Sequence, residues 1–107
     1  MQKSNFNIRI AAGRVIPVSG YVWRFGGFRV GAYKGDRVWY VCDLSSGCLI
    51  VAVSRLKDAD PALMDLWHLD RLECVRRSIK CYPNTNPGLD PRSVTLSAVW
   101  DRVCSHA

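Results

Sequence analysis

The chain has 107 residues, 49% of them apolar and 22% charged, with a net charge of +6. That length suits one domain around one core and is too short for two. The ordinary charged fraction excludes a disordered chain, and no apolar run reaches the roughly 18 residues of a membrane-spanning helix.

The charge is distributed unevenly. Residues 1–57 carry nine Lys/Arg against Asp36 and Asp43, a net +7, whereas residues 58–107 sum to −1. A positive field confined to one half points to an anionic partner, either nucleic acid or an acidic protein surface. The five cysteines (Cys42, Cys48, Cys74, Cys81, Cys104) are an odd number in a chain whose N-terminus does not read as an export signal. They are expected to be reduced and used as small apolar residues, in a cytoplasmic protein.

In chain order, Phe6, Ile8 and Ile10 alternate with polar residues, which predicts a half-buried strand. Residues 14–19 form a second extended piece, and Pro17 argues for an edge. A strand over 21–25 is broken by Gly26-Gly27. Three further strands then form a meander: 28–33, 37–44 and 48–54, joined by turns at Lys34-Gly35-Asp36 and Ser45-Ser46-Gly47. Asp60-Pro61 reads as a helix N-cap followed by proline, with Asp65 in the next turn. From there one long helix is predicted to about Tyr82, with an apolar stripe of Leu72, Val75, Ile79 and Tyr82. Residues 83–88 are a loop. Asp90-Pro91 repeats the helix-start signal before Leu96, Val99, Trp100 and Val103, so the C-terminal segment is read as helical, although Val94, Leu96, Ala98 and Trp100 also fit a strand.

The expected fold is α+β: one domain over 1–107, with an antiparallel sheet of four or five strands (1–57) packed against one long helix within 58–107. Pairing Lys34 with Arg37 and Leu44 with Cys48 places Phe28, Val30, Ala32, Trp39, Val41, Leu49, Val51 and Val53 on the face that the helix covers. The opposite face holds Arg29, Gly31, Tyr33, Val38, Tyr40, Cys42, Leu44, Cys48, Ile50 and Ala52. It is too apolar for open solvent, so the C-terminal segment, a second copy or a partner is expected to cover it. Around the sheet lie Arg14, Tyr21, Trp23, Arg24, Arg29, Tyr33 and Arg37. Interleaved arginine and aromatic residues suit a stacking, phosphate-contacting surface and equally a protein-binding hot spot. The candidate binding residues are Arg24, Arg29, Tyr33, Arg37 and Tyr40, flanked by Arg14 and Trp23.

Catalytic and metal signatures are missing. Cys42 and Cys48 flank a turn without a C-x-x-C spacing, and His68 and His106 lie far off. The glycines at 26, 27, 31 and 35 do not make a phosphate loop. A non-enzymatic protein with no metal and no cofactor is expected. The cations Arg71, Arg76, Arg77 and Lys80 alternate with Asp70 and Glu73, as on a solvated, salt-bridged helix face.

Phe28, Trp39-Tyr40-Val41, the Ser46-Gly47 turn, the apolar strand over 48–53 and the helix after Asp60 together resemble a pattern of short accessory proteins of bacteriophages and prophage-like elements. The resemblance covers about half the chain, and the loop at 83–88 and the C-terminal segment depart from it. It implies a small non-enzymatic inhibitor of host defence, of the anti-CRISPR type, that blocks a nucleoprotein sterically. Many such inhibitors are acidic mimics of DNA, and this chain is basic. It would therefore grip an acidic protein surface, a guide RNA or DNA. The alternatives from the residues themselves are a module for single-stranded nucleic acid or RNA, and a homodimeric interaction protein.

Overall fold

The computed structural model describes residues 1–91, so the expected C-terminal helix lies outside the described residues. Five strands, β1 (Gln2–Arg9), β2 (Val15–Phe25), β3 (Phe28–Lys34), β4 (Trp39–Asp43) and β5 (Leu49–Val53), form one antiparallel sheet in the order of the chain. Two helices follow, α1 (Ala59–His68) and α2 (Glu73–Cys81). The class is α+β. No helix among the described residues is long and apolar enough to cross a membrane.

The two expected pieces at 14–19 and 21–25 are a single 11-residue strand. The first part of β2 pairs with β1, from Val15 opposite Arg9 to Val22 opposite Gln2; its second part pairs with β3, from Gly20 to Phe25. Pro17 lies in the stretch that β3 does not reach, the edge position that suits a residue without an N–H. At the changeover, any side chain on Gly20 would run into the Ala32 carbonyl oxygen. Glycine is what allows β2 to serve two partners there.

The sheet rolls over on itself. The Arg9 N–H donates to the Gly47 carbonyl at 2.8 Å, bringing the end of β1 to the β4–β5 turn. Phe6, Ile8, Val22, Cys42 and Leu44 are buried inside the roll, with Ile10, Ile16, Val18, Tyr33 and Leu89 packed against them. Gly31 lies at the centre of this inner face: a Cβ there would stand 2.9 Å from Leu44 and 3.0 Å from the Phe6 ring. Much of the apolar second face is thus covered by the protein's own first strand, while Leu49 and Ala52 remain exposed.

The loop after α2 seals the roll. Asn86, 4% exposed, uses its side-chain amide as a short piece of strand. Its Oδ1 accepts from the Asn7 N–H at 2.6 Å, and its Nδ2 donates to the carbonyls of Asn7 and Leu44, both at 2.8 Å. The expected loop is thus partly interior, because its backbone and amide groups complete the ladder that β1 leaves open.

The other face carries the larger core: Trp23, Phe25, Phe28, Val30, Ala32 and Val41 from the sheet meet Ala59, Leu63 and Val75 from the helices and Leu72 from just before α2. The predicted register of the first hairpin is corrected by two residues without a change of face, and that of the second holds from Trp39 to Val41 and breaks only beside its turn. Lys34 pairs with Trp39, not Arg37, because residues 35–38 form a longer turn with Arg37 at φ 65°. Cys42 pairs with Leu49 and Val41 with Val51, so Ile50 is an extra residue in β5. That bulge turns Ile50 toward the helices and leaves Leu49 57% exposed, the reverse of the expected parity. The 43–48 turn is pinned by Asp43, whose Oδ2 accepts from the Ser46 N–H and Oγ–H, each at 2.8 Å.

The single long helix is also corrected. The Arg71 N–H bonds back to Leu66 O at 2.9 Å and the Asp70 N–H to Trp67 O at 3.0 Å. With Asp70 at φ 54°, this is a Schellman ending in which aspartate takes the position glycine usually fills. Helix α1 stops at His68, which leaves Trp67 and Leu69 at 46% and 64% exposure rather than inside a continuous helix.

Asp60 is not the N-cap; Asp58 stands there, as the last residue of a short 3-10 turn. The Asp60 carboxylate instead accepts the indole N–H of Trp23 at 2.8 Å. Burial raises its pKa above the usual carboxyl value, partly offset by that hydrogen bond. The folded state therefore holds this proton more tightly than the unfolded chain. The resulting stabilisation is present at low pH and is lost as pH rises from the ordinary carboxyl range through the raised folded value. Asp60→Asn keeps an acceptor for Trp23 and is expected to remove this pH dependence. Asp60→Leu orphans the indole N–H and is expected to cost about 1–3 kcal/mol. Urea unfolding of the three proteins across the acid range measures both effects.

Candidate ligand-binding surface

The register puts Arg24 opposite Arg29 and Tyr33 opposite Tyr40, so these four candidate residues share one face. The two tyrosine rings lie 5.3 Å apart between centroids. Burial, with smaller contributions from Cys42 and Tyr40, raises the Tyr33 pKa, so its hydroxyl stays protonated as a donor. Trp23 is on the opposite face, buried in the larger core. Arg14 and Arg37 are exposed, the first just before β2 and the second in the β3–β4 turn.

Three arginines around the roll are already engaged. Arg29 donates from Nη1 to the carbonyls of Asn86 (3.1 Å) and Leu89 (2.5 Å), and from Nη2 to Ser45 Oγ (3.1 Å). Arg24 pairs with the Asp90 carboxylate and reaches the Pro91 carbonyl at 3.4 Å. Arg9 donates to Ser46 O, Gly13 O and Thr85 Oγ1 and lies 4.5 Å above the Tyr82 ring. Three guanidiniums from three adjacent strands thus fasten the 82–91 loop to the roll. On the helical side, the expected salt-bridged face is represented by Arg76 and Glu73 at 3.1 Å.

A different set of side chains stands open. Lys3, Ser4 and Asn5 of β1, Ser19, Gly20 and Tyr21 of β2, Lys34 of β3 and Trp39 of β4 line a cleft of about 660 Å³. That volume is within the roughly 300–1,000 Å³ range of ligand sites. Lys3 is opposite Tyr21, Asn5 opposite Ser19 and Lys34 opposite Trp39, so these side chains share the helix-bearing face. The residues that line the cleft all come from the sheet, and Trp39 is partly buried against the larger core beside it. The Tyr21 and Trp39 rings are 6.0 Å apart at 50°, the Lys34 ammonium sits 5.4 Å from the Trp39 centroid, and Ser19 Oγ–H donates to Asn5 Oδ1 at 2.7 Å. The lining holds two lysines and no carboxylate.

Of these residues only Tyr21 belongs to the set expected around the sheet; Lys3 and Lys34 are new to it, and Trp39 is expected from the sequence to lie beneath one long helix covering that face. The available signal was parity: Tyr21, Lys34 and Trp39 fall on the same side as Ala32 and Val41.

Among the described residues no group of His, Cys, Asp and Glu is placed to hold a metal. Cys42, Cys48, Cys74 and Cys81 are free thiols. Burial, then Cys48 and Asp43, pushes the Cys42 thiol up to about 12, which leaves it unreactive as a nucleophile. Neither a family model, a curated protein nor a solved structure matches the chain.

Proposed function

We propose that the protein is a non-enzymatic binding module whose basic strand half engages nucleic acid, free or carried in a nucleoprotein. The observation that carries this reading is the cleft of Lys3, Lys34, Tyr21 and Trp39, which offers cations and aromatic faces free of opposing carboxylates. Ammonium groups neutralise phosphates, and flat rings accept bases without regard to sequence. Arg14 and Arg37 are exposed cations from the original candidate set that extend the positive field.

Fluorescence anisotropy with labelled single-stranded DNA, duplex DNA and RNA at two salt concentrations tests this. Binding that persists near physiological salt and weakens steeply as salt rises is expected. No binding at the lower salt would refute the reading and leave an acidic protein as the partner of this charge.

A second reading is the inhibitor suggested by the phage-type resemblance. Exposed Trp67 and Leu69 favour it, since they give the helical layer an apolar protein-contacting surface near the hairpin tip, where Gly26 meets the Trp67 ring. Under this reading the protein inhibits a defence nucleoprotein, and Trp67→Ser with Leu69→Ser relieves that inhibition without changing binding to naked oligonucleotides.

A further inference from the structure

Charge alone does not account for the composition of the cleft. The Tyr21 and Trp39 rings are already within one stacking distance of each other. No base fits between them, so a base can stack only on an outer ring face. The Lys34 ammonium lies over the Trp39 ring, 5.4 Å from its centroid. On the same face, across the cleft on β1, the exposed Asn5 has its Oδ1 taken by Ser19, and its Nδ2 has no protein partner among the described residues. Cation and ring are therefore neighbours on β3 and β4, and the amide donor lies on the same face of the sheet on β1.

Resting on the nucleic-acid reading, we infer that this cleft is a slot for one unpaired nucleobase and its flanking phosphates. A phosphate draws the Lys34 ammonium off the Trp39 ring, and the base takes the place the ammonium leaves. Lys3, across the cleft on β1, meets the neighbouring phosphate. The Asn5 amide then donates to an acceptor on the edge of the base. In a duplex the bases are stacked and paired, so no free ring face is presented and only the phosphate attraction remains. The protein on this account selects single strands by their bases rather than by their charge.

Three probes of equal charge separate these contributions in the unmodified protein: an oligothymidylate, an abasic sugar-phosphate strand of the same length, and a duplex carrying the same number of phosphates. The base-bearing single strand is expected to bind about tenfold or more tighter than the other two. Trp39→Ala is expected to abolish that preference while retaining the salt dependence, and Trp39→Phe to keep most of it. Equal affinity for the abasic and base-bearing strands would overturn the slot and leave the nucleic-acid reading standing. Failure of all three probes to bind would overturn both.

Discussion

Asn86→Ala is expected to lower the unfolding free energy by about 3 kcal/mol, because it orphans three backbone groups together. The Asn7 N–H loses its acceptor, and the carbonyls of Asn7 and Leu44 lose their donor. In a protein of this size that corresponds to a fall in melting temperature of roughly 10–20 °C. Asn86→Asp is expected to be no better, since a carboxylate accepts from Asn7 but points acceptors at two carbonyl oxygens. Asn84, exposed and at φ 65°, supplies the control: Asn84→Gly fits that backbone and is expected to be near neutral. Thermal unfolding followed by circular dichroism distinguishes these outcomes. If Asn86→Ala melts with the wild type, the loop is an ornament on the sheet and not its closure.

Reversing both cleft lysines, Lys3→Glu with Lys34→Glu, is expected to weaken single-strand binding by at least tenfold and to reduce the log–log salt slope by about 1.4. Each lost phosphate contact removes roughly 0.7 from that slope for a single strand. A general loss of positive field would act similarly, so the comparison is with Arg55→Glu and Lys57→Glu, which changes net charge by the same amount from an exposed position after β5. That pair is expected to weaken binding only slightly, through the long-range field, and to leave the slope near the wild-type value. Equal effects of the two pairs would mean that the cleft is no special part of the surface.

The two cases differ in how far the sequence alone could have revealed them. The meander was legible because alternation and turn residues act over a few positions, and Pro17 correctly marked an edge. The end of α1 was not, since Leu72, Val75 and Ile79 continue the apolar stripe past the break and Asp70 occupies a position where glycine is the usual sign. The role of the loop was hidden for a related reason. A neutral amide that imitates a strand, and carbonyls that accept from Arg29, have no compositional signature. For the candidate surface, the excess of charge in the strand half was readable, but which cations remain free was not. Arg24 and Arg29 are held mainly by residues more than fifty positions away, whereas Lys3 joins Tyr21, Lys34 and Trp39 on one face only once β2 is shared between two partners.

The most direct test of the central claim is photo-crosslinking of a 4-thiothymidine-containing single strand, followed by peptide mapping. The account predicts crosslinks at Tyr21 and Trp39, competed by unlabelled single strand and lost as salt rises. Crosslinks confined to the helical layer, or to Arg24 and Arg29 with the cleft untouched, would contradict it.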